Sequence, residues 1–429
     1  MEPIIINLKQ QTPILHFQPE LAPEGATLRA TELKPKLDRY IIANYGNSIP
    51  KEWLVDPKNN KTALNYKLSV AATKCSEVKT DVVRKGKPVY PMFFGDGKTA
   101  LSSSDPIELK IFCLIKSLRE HIEKNIDWSL FFLANSFGTR QDKGYGSFYP
   151  DKMSVGPSVV GKTVKTENGV EYRVDTFFTV QDQQMQNWQA VFKRTEYAAK
   201  CMRGGINEGS FYFKSLMFAY AKYAITEHKK EKLFWDKRMI KEKFYPKVVE
   251  EHRKKYPNND ALKVMNEKEL NQQPYMFRDF LGLSTAESWK IPYDKTISKE
   301  SNNISRMKSP LLFKPVWVAG KWYVFLLHRE VPQGFKFSGN DKRPNSFIVT
   351  DKSMDHRITM VPYPDFYMSE YLNYIFGKGF VYSNLISIKD NDKEAKGKEK
   401  YVSEVNKAKK TKDKVLSILN EMNSHFKTI

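Results

Sequence analysis

The sequence predicts an α+β fold whose first 150 or so residues follow the order of a ferredoxin-like βαββαβ unit. Three observations carry this. Apolar residues alternate in some stretches and recur at helical spacing in others. Those stretches succeed one another as strand, helix, strands, helix, glycine-rich turn and strand. The turn, Phe137-Gly138-Thr139-Arg140-Gln141-Asp142-Lys143-Gly144-Tyr145-Gly146-Ser147-Phe148, sets three glycines between two aromatic-rich stretches.

The opening strand is read in Ile4 to Gln18, where Ile14, Leu15 and Phe17 surround His16. After a loop over Pro19–Gly25, Leu28, Leu33, Leu37, Tyr40 and Ile41 recur at roughly helical spacing, and Pro35 is expected to start or kink this helix. Arg29, Lys34, Lys36 and Arg39 fall on its other faces, either as a basic rail beside a nucleic acid or as a solvated helix surface. Leu64–Thr73 reads as a strand, with Tyr66, Leu68 and Val70 alternating against Asn65, Lys67 and Ser69; Val89–Phe94 reads as a shorter one. Ser102 to Pro106 supplies an N-cap followed by proline, so Ile107 to Ile126 is expected to be an amphipathic helix with Ile111, Phe112, Leu114, Ile115, Leu118 and Ile122 as its stripe. Trp128–Ala134 carries the hydrophobic stretch into the glycine turn.

The turn has the chemistry of a phosphate cradle. Glycine admits positive φ and close approach of a ligand, Arg140 and Lys143 bring positive charge, and Tyr145 offers a face on which a base can stack. An ordinary hairpin turn, with glycine for geometry and charge for solubility, fits the same residues.

Composition favours a polyanionic partner. The chain has 429 residues, 70 Lys+Arg against 49 Asp+Glu and a formal charge of +21, and neutralised phosphates release counterions whatever the base sequence. Aromatics, at 13%, supply stacking surfaces as well as core. The length suits two domains. Cys75, Cys113 and Cys201 form neither a CxxC pair nor a metal-ligand pattern, which fits buried thiols in a reducing compartment. Met1 to Ile6 is too quickly polar for a signal peptide, and no apolar run approaches a membrane span, so a cytoplasmic protein without a membrane partner is expected.

The stretches Pro13-Ile14-Leu15-His16-Phe17-Gln18 and Gly25 to Arg39 resemble the amino-terminal signature of the RAMP superfamily of CRISPR systems. Gly138 to Phe148 resembles that superfamily's glycine-rich loop, in the expected order and at a plausible separation. Within the superfamily the chain is most similar to the family of first subunits of the type III-B Cmr effector, over roughly the first 150 residues. The resemblance implies two ferredoxin-like domains side by side, here over 1–170 and 171–388, the second carrying a helical insertion over 211–300. Tyr172–Val180 reads as a strand and Trp188–Met202 as a helix that stops at Gly204-Gly205; the strand pair that leads from Arg306-Met307-Lys308-Ser309-Pro310-Leu311 into Trp322–Leu327 is similar to RAMP segments, whereas Gly377-Lys378-Gly379-Phe380 is too short for a second glycine-rich loop and lacks an arginine. Phe211–Trp235 and Phe244–Tyr256 read as basic helices. Residues 389–429 read as a charged tail: Lys389–Lys414 is a flexible or a solvent-exposed helical stretch, which Val415, Leu416, Leu419, Met422 and Phe426 can close as a small amphipathic helix.

The function so implied is binding of single-stranded RNA, target RNA or crRNA, across one sheet face by a subunit that contacts other CRISPR effector subunits in antiviral defence. Gly138, Thr139, Gly144, Gly146 and Ser147 are the loop contacts, Arg140 and Lys143 the loop cations, Tyr145 the stacking ring, and Arg29, Lys34, Lys36 and Arg39 an adjacent rail, with Arg306 and Lys308 from the second domain. No cofactor, metal or catalytic residue is assigned. The seven histidines form no HxxxH or HxH pair; His16 reads as a buried sheet histidine before a catalytic one, and Asp38 beside Arg39 as an ion pair. A metal-independent CRISPR RNA-processing endoribonuclease and a non-catalytic protein-interaction module are the alternatives.

Overall fold

The computed structural model describes residues 2–16, 27–46, 48–58, 63–71, 74–78, 82–84, 87–89, 100–181, 188–226, 235–255, 267–289, 295–339, 343–351, 356–388 and 398–429. The expected strand over Val89–Phe94 therefore lies almost wholly outside them. The fold is mixed α+β, and the chain divides into two compact units. The first unit takes in Met1–Ala199, Leu311–Arg329 and Asp413–Ile429; the second takes in Lys200–Pro310 and Glu330–Lys412.

The first sheet of the first unit is built from β1 (Ile4–Gln10), β2 (Lys67–Val70), β3 (Ile107–Phe112) and β4 (Phe148–Pro150), with α1 (Ala30–Asn44) between β1 and β2, and α2 (Lys116–Lys124) and α3 (Trp128–Ala134) between β3 and β4. The spatial order is β2-β3-β1-β4, antiparallel throughout. Pleating explains which side is buried. Ile4, Ile6 and Leu8 lie opposite Ile111, Leu109 and Ile107, with Leu68 and Val70 on β2, and this side packs on Leu33, Leu37, Leu118, Ile122 and Phe131. Asp127 caps α3 by accepting from the Leu130 N–H at 3.0 Å.

One expected element changes class. Ile107–Phe112 is a strand, and only Lys116–Lys124 of the expected helix over Ile107 to Ile126 is helical. Ile107, Leu109 and Ile111 are buried while Glu108, Lys110 and Phe112 are not, a period of two that a helix cannot satisfy. Helix α1 also begins at Ala30 and runs through Pro35 instead of starting there.

The second sheet of this unit joins a hairpin, β5 (Thr163–Glu167) and β6 (Val170–Gln181), to another, β7 (Leu311–Val318) and β8 (Lys321–His328), in the antiparallel order β7-β8-β6-β5. Helix α4 (Trp188–Arg203) follows β6, and α5 (Lys398–His425) closes the chain. Residues 398–414 are helical and run on into the expected closing helix, where Val415, Leu419 and Met422 are buried as an amphipathic face requires. Thr176 Oγ1 donates to Met422 O at 2.5 Å, Thr179 N–H donates to Glu421 Oε1 at 2.9 Å, and the Arg173 guanidinium donates to the carbonyls of Lys427 and Thr428.

The second unit holds a five-stranded sheet in the order Tyr275–Met276, His356–Pro362, Phe347–Asp351, Lys295–Glu300, Ala286–Trp289. Helices Leu216–Thr226, Asp236–Phe244, Pro246–Lys255 and Met368–Ile375 belong to the same unit; residues 211–213, expected to be helical, form a strand. Its buried charges neutralise one another. Lys299 Nζ meets Asp279 at 2.7 Å and Glu287 at 2.8 Å, and Arg278 meets Asp236 at 3.1 Å and Glu287 at 2.7 Å. Burial would raise the Glu287 pKa, but the two cations outweigh it and hold the carboxyl well below the usual range.

Candidate nucleic-acid interface

The glycine turn has the backbone its sequence demands. Gly138, Gly144 and Gly146 sit at φ of +76°, +91° and +62°, and Arg140 joins them at +57°. A Cβ on Gly146 would run into the carbonyl oxygen of Phe137, and one on Gly138 into that of Leu15. These positions need glycine for close approach, but the approaching group is the protein itself.

The amides expected to hold phosphate are spent internally. Gly138 N–H donates to Glu32 Oε2 at 3.0 Å, Gly144 N–H to Gln141 O at 3.3 Å, and Gly146 N–H to Pro13 O at 2.9 Å. Thr139 N–H donates to Leu15 O at 2.7 Å, Ser147 N–H to Thr12 Oγ1 at 3.0 Å, and Ser147 Oγ to Pro315 O at 2.7 Å. Tyr145, expected to stack on a base, is 1% exposed, with its ring centroid 4.2 Å from that of Phe192. Burial pushes its phenol far above the ordinary range. The turn is a packed joint between the segment Thr12–Leu15 and strand β7. In place of the expected cradle, its glycines, Tyr145 and Ser147 hold it together.

The basic residues divide by what they touch. Lys36 Nζ donates to Ser136 O at 2.5 Å and Gln141 Oε1 at 2.7 Å, bracing the entry to the turn. Lys34 is paired with Asp38 at 2.9 Å and donates to Leu64 O. Asp38 is thus the partner of Lys34, not Arg39, and burial raises its carboxyl above the usual range despite that lysine. Arg39 instead meets Glu167 at 3.3 Å on an exposed surface. Arg140 and Lys143 are half-buried on the bend. Arg29, half-buried at the start of α1, has Nε and Nη2 in buried positions with no hydrogen-bond partner among the described residues. Arg306 and Lys308 are exposed and belong to the second unit.

His16 is buried, its Nδ1 lying 3.2 Å from Glu32 Oε1. Burial works to raise the Glu32 pKa, but the hydrogen bond to His16, the charges of His16 and Arg29 and the Gly138 N–H together hold it below the usual range. No group of three or more His, Cys, Asp or Glu side chains able to hold a metal ion occurs among the described residues.

The strand at Ile107–Phe112 gives the first sheet a second, outward surface. On the side of the first sheet facing away from the core, Ile5 lies opposite Lys110, Lys110 opposite Ser69, and Phe112 opposite Lys67, with Asn7 opposite Glu108. Phe112 is 42% exposed and Ile5 51%. The alternation Ile-Glu-Leu-Lys-Ile over residues 107–111 is the signal that places Glu108 and Lys110 outward, and the same period puts Phe112 on their side.

Two parts of the chain match models of one family. The Cmr1 N-terminal domain matches residues 1–206, and the Cmr1 C-terminal domain matches residues 212–398. The chain belongs to the Cmr1 family. No curated protein matches it. Cmr1 membership makes the chain a subunit of the type III-B Cmr effector complex of CRISPR defence, associated with other Cmr subunits, in a family that is generally non-catalytic. Among the described residues no helix is long and apolar enough to cross a membrane.

Proposed function

We propose that this chain binds single-stranded RNA within a Cmr effector complex, through cations gathered at the start of α1 and on the glycine turn, without cleaving it. The observation that carries the reading is Arg29. Two of its guanidinium nitrogens are out of solvent with no acceptor among the described residues, a costly arrangement that a phosphate oxygen relieves with charge-assisted hydrogen bonds. Arg140 and Lys143 extend the positive surface along the turn, with Arg39 further along α1. Lys34 and Lys36 shape this surface from inside, and Arg306 and Lys308 offer exposed charge on the second unit. Gly138, Thr139, Gly144, Gly146 and Ser147 act by holding the turn in shape.

The strand orders of the two sheets support a reading of two ferredoxin-like halves, as the resemblance implies. In the first sheet the strands lie in the order fourth, first, third, second along β4-β1-β3-β2. In the second, β6, β7 and β8 take the places of first, second and third strands, and β5 stands where a fourth strand would. The boundary expected at residue 170 falls in the β5–β6 hairpin.

Labelled single-stranded RNA titrated with the full chain at several salt concentrations tests the reading. Affinity that falls with salt is expected, and the Arg29→Ala, Arg140→Ala and Lys143→Ala variants should each flatten the log–log slope by about 0.7. RNA cleavage without metal would point to an endoribonuclease. Neither binding nor cleavage would leave a protein-interaction subunit.

A further inference from the structure

We propose that the outward face of the first sheet is a base-stacking site for single-stranded RNA, with Phe112 as its platform. The inference rests on the RNA-binding reading above and adds a surface separate from the glycine turn. Strand register sets its geometry. Phe112 on β3 has Lys67 of β2 directly across from it. Two residues back along β3, Lys110 stands between Ile5 on one side and Ser69 on the other. Side chains two apart on a strand share a face, and cross-strand partners lie about 5 Å apart at Cβ. One exposed patch therefore joins an aromatic ring, an aliphatic side chain, two ammonium groups, a hydroxyl, a carboxamide at Asn7 and, at Glu108, one carboxylate.

A phenylalanine held 42% exposed at the end of a paired strand gains little from its own fold. Stacking under an unpaired base covers it. The same strand would bring phosphates toward Lys67 and Lys110, whose only carboxylate partner among the described residues is Glu108, 2.8 Å from Lys110. A protein partner suits the patch less well. Lysines flank the ring across the strand pair and two residues back along its own strand, and interface cores are depleted of lysine because burying an ammonium is costly. Phosphate oxygens meet lysines without that penalty. Ser69 and Asn7 can hydrogen-bond to ribose hydroxyls or base edges, and Ile5 can pack against a neighbouring ribose.

The test compares the full-length protein with Phe112→Ala, Phe112→Trp and the double variant Lys67→Ala/Lys110→Ala, each binding a labelled oligouridylate across a salt series. Phe112→Ala is expected to weaken binding about 5- to 150-fold with an unchanged salt slope, since stacking carries no counterions. Phe112→Trp should retain affinity. The double lysine variant should reduce the slope by about 1.4. Crosslinking of 4-thiouridine RNA should map to the peptide containing Phe112 and disappear in Phe112→Ala. Exposure of Phe112 makes a folding defect in these variants easy to separate by thermal melting. If Phe112→Ala binds as wild type does while Arg140→Ala weakens binding, this site falls and the RNA-binding reading stands. If wild type binds no RNA at any salt concentration, both fall. If Phe112→Ala leaves RNA affinity intact but prevents assembly with the other Cmr subunits, the face docks protein and the proposal is overturned.

Discussion

Lys314 Nζ donates to the carbonyl oxygen of Asn135 at 2.8 Å from a fully buried position in strand β7. Ser136 Oγ, 3.4 Å away, is its other partner. Burial, and then the neighbouring charge of Lys36, push its ammonium well below the ordinary lysine range. The unfolded chain holds that proton up to about pH 10.4, whereas the folded chain releases it earlier. Stability should therefore rise with pH between the lowered value and about 10.4, by up to about 1.4 kcal/mol per unit from this residue. Unfolding of wild type and Lys314→Met at pH 7 and pH 9.5 checks this: wild type should gain on the variant as pH rises. An identical pH response would show that Lys314 stays protonated.

Gly146→Ala should be far more damaging than Gly320→Ala. Both glycines have positive φ, +62° and +79°, so both substitutions carry about 1–2 kcal/mol of backbone strain. Only at Gly146 does the new methyl meet a backbone oxygen, that of Phe137; at Gly320 it points into open space. Urea unfolding should place Gly320→Ala within about 2 kcal/mol of wild type and Gly146→Ala at about 4 kcal/mol or more.

Tyr145→Ala should act on stability and not on RNA affinity. Emptying a buried aromatic site costs about 3–5 kcal/mol, and here the void opens against Phe192. At a temperature where the variant is folded, its RNA titration should overlay that of wild type. A selective loss of affinity would return Tyr145 to the binding surface.

Glu32→Gln should lower stability at neutral pH and flatten the acid limb. The folded pKa of Glu32 is depressed, so its contribution is complete above the ordinary glutamate value and is lost as pH falls through the folded one. A charge-assisted hydrogen bond of this kind contributes about 1.5–3 kcal/mol. Melting temperatures at pH 7 and pH 3 should therefore differ less in Glu32→Gln than in wild type.

Period and punctuation made much of the first unit legible. Tyr66, Leu68 and Val70 announced β2, and α4 and β8 lie where their apolar residues place them. Residues 107–112 misled because their alternation ran straight into Leu118 and Ile122, so two short elements merged into one long helical stripe. At the turn, the need for positive φ at Gly138, Gly144 and Gly146 could be read locally. What consumes the amides of Gly138 and Gly146 could not, because their acceptors Glu32 Oε2 and Pro13 O come from distant parts of the chain, and every residue carries a carbonyl. Lys314 was equally silent: nothing in Phe313-Lys314-Pro315 announces an ammonium folded beneath another segment.

The first unit draws its residues from three separated stretches, and this imposes an order on its biogenesis. When α4 has left the ribosome, the sheet started by β5 and β6 still lacks β7 and β8, and α5 arrives last. At typical synthesis rates the interval from residue 199 to residue 413 is roughly 10–40 s. During that time the apolar side of β6 that carries Val174 and Phe177 has no permanent cover. A nascent chain stalled in this interval should be a chaperone client, and release from the chaperone should await the final helix.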